Sequence, residues 1–168
     1  MKLYHGTNLD IEKIDLSKCR PYKDFGTGFY LTEIEEQAAK MAKRVSRIYG
    51  GDPIINVYEV QDDYLDSPLL NIKLFGTDPT PEWAQFVMNN RNKHFPDYES
   101  PECNFDCKYD IVSGPIANDD MALLFRQYQN NLITFDVLTE GLSFREVTNQ
   151  ISFHTERAIA LLEKVRVL

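Results

Sequence analysis

Two short segments near the start of the chain contain residues whose types and spacing would suit a binding or catalytic site. The first places His5, Gly6 and Thr7 in succession, where a predicted strand ends. The second, residues 25–32, has two glycines one residue apart, followed at once by two aromatic residues that include Tyr30. Glycine lets a backbone approach a ligand closely or adopt a positive φ, so this segment predicts a tight turn. The glycine spacing does not match the dinucleotide-binding fingerprint, which this segment therefore excludes.

A third segment lies late in the chain, at residues 149–153, and reads Asn-Gln-Ile-Ser-Phe. Side chains alternate along a strand, so Ile151 and Phe153 are expected to face the core. Gln150 and Ser152 would then share the other face, where a ligand could lie. Taken alone, this is the pattern of an ordinary half-buried strand.

Taken together, the three segments resemble the ADP-ribosyltransferase superfamily, in the His-Tyr-Glu branch that includes diphtheria toxin and the poly(ADP-ribose) polymerases. The His5-Gly6 pair, the Phe-Gly-x-Gly-aromatic-Tyr segment at 25–30 and the Asn149-Gln150 pair follow the order and spacing of that branch. Residues 3–43 also resemble a family of small bacterial proteins related to these transferases. The resemblance implies an α+β fold with a split pair of small antiparallel sheets and a cleft between them.

The resemblance also implies NAD⁺ as co-substrate and a role for each residue. His5 would form a hydrogen bond with the adenosine ribose. The backbone N–H and C=O of Gly6 would hold the nicotinamide carboxamide, with no Cβ to obstruct it. Tyr30 would stack on the nicotinamide ring, and Thr7 would add a ribose contact. The other residues expected to bind NAD⁺ are Tyr22, as a second aromatic wall, Gly28 and Ser152.

The chain departs from this branch at Gln150, where the family carries a glutamate. A glutamine can hold the ribose hydroxyl, but it offers no full charge and no general base. With Gln150, Tyr30 and His5 as catalytic residues, three outcomes stay open: a slower enzyme, an acceptor that needs little activation, or binding without turnover. Glu146 and Glu156 could supply a carboxylate, although surface positions are favoured for both. Elongation of poly(ADP-ribose) is not expected.

The function expected from this resemblance is mono-ADP-ribosyl transfer from NAD⁺ to an unknown protein or nucleic-acid acceptor. Small bacterial relatives suggest the toxin of a toxin–antitoxin or phage-defence pair, with an antitoxin protein as a partner. The alternatives are NAD⁺ glycohydrolysis, a catalytically silent module that binds NAD⁺ or ADP-ribose, and a structural domain that has lost the pocket.

Composition limits the function classes further. The 168 residues carry 18 Lys+Arg against 26 Asp+Glu, a net charge of −8, which argues against non-specific nucleic-acid binding through a basic surface. No apolar stretch approaches the length of a membrane helix, so a cytoplasmic protein without membrane contact is expected. His94, Cys103 and Cys107 could be drawn as a zinc site, but reduced thiols and no metal are expected.

Periodicity predicts the elements that must position these residues within one domain, 1–168, in which 76–109 is a helix-plus-loop insertion. The predicted strands are 2–5, 54–60, 69–75, 109–116 and 149–153. The predicted helices are 33–49, 80–92, 119–129 and a last one that begins after Thr155. Thr32 is expected to cap the first helix. Its apolar stripe, expected to face the core, is Ile34, Ala38, Met41, Val45 and Ile48.

Overall fold

A computed structural model of the chain describes residues 1–143 and 148–168. The described residues form seven strands: β1 (Lys2–Thr7), β2 (Phe29–Leu31), β3 (Ile54–Glu59), β4 (Ile72–Leu74), β5 (Ile111–Pro115), β6 (Asn149–Phe153) and β7 (Glu163–Val167). They also form five α-helices: α1 (Glu35–Tyr49), α2 (Pro81–Arg91), α3 (Asp119–Gln129), α4 (Phe135–Ser143) and α5 (Glu156–Ile159). No helix in these two ranges is long and apolar enough to cross a membrane.

The strands form two small sheets, which confirms the α+β class. The first sheet has the order β1-β3-β7 and is antiparallel. The second has the order β2-β6-β5-β4, and its β4–β5 pair is parallel, so the expectation of purely antiparallel sheets is wrong there. In the described ranges, β1 meets β2 at one isolated bridge, in which Tyr4 and Thr32 exchange N–H···O bonds of 2.8 and 3.0 Å.

Two apolar clusters make up the core. One packs one face of the second sheet against helices α2, α3 and α4, and it includes Phe25, Trp83, Val112, Phe125 and Leu138. The other lies between the sheets and includes Leu3, Phe29, Tyr58, Ile151 and Phe153. The inward orientation predicted for Ile151 and Phe153 is confirmed. Helix α2, inside the segment expected to be an insertion, supplies Trp83 and Phe86 to the first cluster.

Helix α1 forms as predicted, but it buries only part of the predicted apolar stripe. Its buried residues are Ala38 and Ala42, whereas Ile34, Met41 and Ile48 are 40% to 58% exposed. The cause is the close approach of α1 to β1, because a Cβ built on Gly6 would lie 1.9 Å from the carbonyl oxygen of Ala38. At that distance only small side chains of α1 fit between the helix and β1, so the larger apolar residues of α1 lie to the side of the contact.

The ends of two predicted helices differ from the sequence pattern. Helix α1 begins at Glu35 with Ile34 at the cap position, and Thr32 Oγ1 accepts a bond from the Ile34 N–H at 3.1 Å, so the prediction of Thr32 as cap is wrong. The last predicted helix ends after Ile159, and β7 follows and pairs with β3. Pairing with a neighbouring strand outweighs local helical periodicity there.

Candidate active site at the junction of the two sheets

The unpaired backbone edge of β1 begins where the two sheets separate. Tyr4 turns its N–H and C=O towards Thr32, so ladder alternation turns those of Gly6 to the same side. Ile55, opposite Gly6 on β3, instead exchanges both of its bonds with Leu168, each at 2.9 Å. Within the described ranges, Gly6 therefore keeps a free N–H and a free C=O next to the bridge.

Tyr30 is the residue that would pair with Gly6 if the ladder from the Tyr4–Thr32 bridge continued. It does not, because the Tyr30 C=O accepts a 2.7 Å bond from Nδ1 of His5. The histidine side chain thus ends the ladder and leaves the Gly6 edge facing Tyr30. The glycine itself is explained by packing: its missing Cβ would point into α1, so the expectation that this absence clears space for a ligand is wrong.

The His5 ring is fixed in one tautomer. A carbonyl oxygen only accepts, so Nδ1 carries the proton and Nε2 presents a lone pair. The ring stacks on Phe29 at 4.4 Å between centroids. Burial lowers the pKa of His5, and the bond to the Tyr30 carbonyl opposes this only in part. Neutral His5 therefore offers an acceptor at Nε2, and Thr7 lies two residues further along the same face of β1.

The Tyr30 side chain is held at its hydroxyl. The O–H donates to the Gly26 carbonyl at 2.7 Å and accepts from the Phe25 N–H at 3.0 Å. The ring is half-buried, lies 6.3 Å from that of Phe25 and meets His154 edge-on. Burial, followed by the charge of Asp24, raises the pKa of the Tyr30 phenol well above its ordinary value. The ring is thus a neutral aromatic surface in a fixed orientation.

Behind Tyr30, strand β6 supports the glycine turn. Ser152 lies opposite Tyr30 and is fully buried, and its Oγ lies 2.7 Å from Nε2 of His154. His154 Nδ1 donates to the Thr27 carbonyl at 2.7 Å, and burial lowers the pKa of His154 to about 4. A Cβ on Gly28 would lie 2.5 Å from that nitrogen. The structure therefore gives Ser152 and Gly28 supporting contacts with His154.

Gln150 lies two residues before Ser152, on the same face of β6, and is half-buried. It has a partner that the sequence pattern does not predict. Its Nε2 donates to Oδ2 of Asp24 at 2.8 Å. Asp24 is paired in turn with Arg91, whose Nη2 lies 2.6 Å from Oδ1. The one signal for Asp24 is that it directly precedes the Phe-Gly-x-Gly motif; no periodicity links positions 24, 91 and 150.

The remaining candidates lie in other surroundings. Tyr22 has a φ of 59°, meets Phe105 edge-on at 6.2 Å and lies under the Lys93 ammonium at 5.6 Å. These contacts join it to the segment after α2, and none of its ring contacts in the described chain involves Tyr30. Glu156 is exposed in the first turn of α5. Glu146 lies outside the described residues.

The described cysteines are free, and burial raises the pKa of Cys103 and Cys107. Cys103 is buried with its Sγ 3.5 Å from the Asp97 carbonyl. Across residues 1–143 and 148–168, no group of three or more His, Cys, Asp or Glu side chains is placed to hold a metal ion. The arrangement around Gly6, Tyr30 and Gln150 is instead a set of hydrogen-bonding groups beside an aromatic ring.

Of three comparisons with known proteins, one identifies a family. No curated protein and no solved structure matches the chain. A family model described as "Protein of unknown function (DUF3990)" matches residues 1–164. The match covers nearly the whole chain, and the protein therefore belongs to this family.

Proposed function

We propose that the protein is an NAD⁺-dependent mono-ADP-ribosyltransferase. The observation that carries this proposal is the unpaired edge of β1, where the N–H and C=O of Gly6 face Tyr30 beside the bridge between the sheets. A donor and an acceptor on one residue match the C=O and NH₂ of a carboxamide. An aromatic ring across from them suits the flat nicotinamide that carries it.

Two further acceptors suit the ribose hydroxyls of NAD⁺. Nε2 of neutral His5 is one of them, with the hydroxyl of Thr7 nearby on the same strand. Oε1 of Gln150 is the other, because Nε2 of that amide is engaged by Asp24. His5 and Gln150 are contributed by β1 and β6, the strands on either side of the strand that carries Tyr30. An ADP-ribosyltransferase-like arrangement of the two sheets is part of the proposal.

The proposed reaction needs no redox step. The bond between nicotinamide and ribose C1′ breaks, and nicotinamide leaves with the electron pair. The acceptor nucleophile forms the new bond to C1′ and releases its proton to solvent. Positive charge develops on the ribose, and a preorganised negative group would stabilise it. Gln150 supplies only the dipole of Oε1, so we expect slow turnover.

The biological setting belongs to the same proposal. We place the protein in the cytoplasm as the toxin of a toxin–antitoxin or phage-defence pair, with an antitoxin protein as partner and a protein or nucleic acid as acceptor. Labelled NAD⁺ added to a cell lysate identifies the acceptor class, because the label then appears on protein or on nucleic acid. Label on neither, with free ADP-ribose accumulating, would indicate a glycohydrolase.

A second candidate is a module that binds NAD⁺ or ADP-ribose without turnover. The Asp24 carboxylate favours it, because this charge lies behind Gln150 and is already neutralised by Arg91. Nicotinamide release in the presence of a cell lysate, which supplies acceptors, separates the two functions. Release above that of the lysate alone supports the transferase, whereas tight NAD⁺ binding with no added release supports the module.

The variant His5→Asn tests the pocket directly. An asparagine amide can still donate to the Tyr30 carbonyl in place of Nδ1, but it has no atom in the place of Nε2. We expect the NAD⁺ dissociation constant to rise about fivefold to tenfold, the value of one hydrogen bond of about 1 kcal/mol. Calorimetry measures it, with exposed Asp78→Asn as the control. Unchanged affinity in His5→Asn would remove His5 from the site.

A further inference from the structure

The Asp24 carboxylate is a buried charge with every oxygen engaged. Asp24 is 8% exposed. Its Oδ1 accepts from Nε of Arg91 at 2.8 Å and lies 2.6 Å from Nη2 of the same guanidinium. Its Oδ2 accepts from the Ala117 N–H at 3.2 Å and from Nε2 of Gln150 at 2.8 Å. Four donor atoms around one carboxylate, two of them on the guanidinium of Arg91, are the surroundings that a buried charge needs.

This carboxylate decides which way the Gln150 amide points. An ionised carboxylate only accepts hydrogen bonds, so the amide must turn its NH₂ towards Asp24. Oε1 then points the other way, and it has no hydrogen-bond partner within residues 1–143 and 148–168. Without a fixed partner, the amide could present either a donor or an acceptor. With Asp24 it presents an acceptor.

The same contact explains why position 150 carries an amide. A glutamate there would place a second carboxylate within hydrogen-bond distance of Asp24. Two carboxylates that close do not both ionise, and Arg91 already pairs with the first. Asp24 and Gln150 therefore form a matched pair in which one charge and one amide leave a single acceptor free.

We propose that Asp24, paired with Arg91, is a positioning residue that fixes the Gln150 amide and leaves its Oε1 as the acceptor for a ligand hydroxyl. The identification of this hydroxyl as the nicotinamide-ribose hydroxyl of NAD⁺ rests on the proposed function. The orientation of the amide does not.

Three variants test the pairing: Asp24→Asn, Gln150→Glu and the double variant that combines them. In Asp24→Asn the new amide keeps its oxygen for Arg91 and turns its NH₂ towards Gln150, which must then present Nε2 to the ligand. The Ala117 N–H loses its acceptor in the single and the double variant alike, so this loss does not affect their comparison. We expect NAD⁺ affinity to fall at least tenfold. Gln150→Glu alone should also weaken binding, because two carboxylates then face each other. The double variant exchanges amide and carboxylate and should return to within threefold of wild type.

Calorimetry with NAD⁺ and with ADP-ribose measures these affinities, and Asp78→Asn is the control for the same change in net charge at an exposed position. Recovery in the double variant supports the pairing, since a merely structural loss at Asp24 would not be repaired by a change at Gln150. A double variant whose fold-loss of affinity equals the product of the two single fold-losses would overturn it.

The orientation of the amide has its own readout, independent of NAD⁺. In ¹⁵N-labelled protein, the side-chain NH₂ signals of Gln150 are identified by their absence in Gln150→Glu. We expect slow hydrogen exchange for these protons in the wild type and faster exchange in Asp24→Asn. Equal exchange in both proteins would overturn the proposal. Slow exchange in a wild type that neither binds NAD⁺ nor releases nicotinamide would keep the positioning role and reject the proposed function.

Discussion

At the residue scale, the Tyr30 side chain combines two tasks. Its ring packs against Phe25 and meets His154 edge-on, while its hydroxyl joins the backbone of the glycine turn through Phe25 and Gly26. The residue therefore contributes to the stability of the turn as well as to the proposed pocket. Truncation of the whole side chain would remove both contributions and could not separate them.

The variant Tyr30→Phe separates them. It keeps the ring and leaves the Phe25 N–H and the Gly26 carbonyl without their partner. We expect the free energy of unfolding to fall by about 1–2 kcal/mol and the NAD⁺ dissociation constant to stay within about twofold. Denaturant unfolding is followed through Trp83, the one tryptophan of the chain, which is fully buried. A Tyr30→Phe protein as stable as wild type would show that the turn does not depend on the hydroxyl.

Residue types and spacing predict which residues meet, but they do not predict how each of them is used. The motifs single out His5, Tyr30 and Gln150, and of these the structure brings His5 and Tyr30 into contact. Asp24 and Arg91 are not found, since their pairing joins positions 67 residues apart. A contact between two loops or helices leaves no periodic trace in the sequence.

At the element scale, helix α1 shows where periodicity stops being informative. The 3.6-residue repeat predicts the helix itself, and Gly50, with a φ of 81°, ends it. The repeat assigns the large apolar residues to the core, but contact with β1 at Gly6 admits only Ala38 and Ala42. Which face a helix buries depends on its neighbour, and one strand glycine decides it here.

A pair of substitutions on α1 tests this packing. Ala42→Leu adds three carbon atoms against β1, so we expect overpacking to cost about 1–3 kcal/mol of unfolding free energy. Met41→Ala, one residue away on the exposed side, should change stability by less than about 0.5 kcal/mol. Denaturant midpoints measure both variants. The reverse order, with Met41→Ala the more damaging change, would mean that the apolar stripe of α1 packs inward after all.

At the scale of the whole molecule, Asp110 joins distant parts of the chain. Its buried carboxylate accepts bonds from Arg157, from the Thr155 hydroxyl and from the Asn71 N–H. Burial alone would raise the pKa of Asp110, but these bonds outweigh it and the pKa is lowered. A carboxyl group with a lowered pKa stabilises the fold above its unfolded value, and this contribution is lost as pH falls through the folded value. That loss sets in near the unfolded value of 3.8 and continues below it.

His154 makes the molecule sensitive to acid at a higher pH than Asp110 does. Its pKa falls from 6.5 to about 4 on folding because the ring is buried. Below pH 6.5 His154 is protonated in the unfolded chain but stays neutral in the folded chain. Stability therefore declines until about pH 4 and then levels off. The two pKa values correspond to a loss of about 3 kcal/mol across this range.

The variant His154→Asn isolates this contribution. Its amide can donate to the Thr27 carbonyl as Nδ1 does, but it does not titrate. We expect the variant to be less stable than wild type at pH 7.5 and to lose less stability down to pH 4, so the two curves converge. Urea unfolding of both proteins at half-unit pH steps measures the difference, and the lowered pKa of His5 cancels because both proteins keep it. Parallel curves would show that folding does not lower the pKa of His154. That result would contradict a buried, neutral ring behind Tyr30.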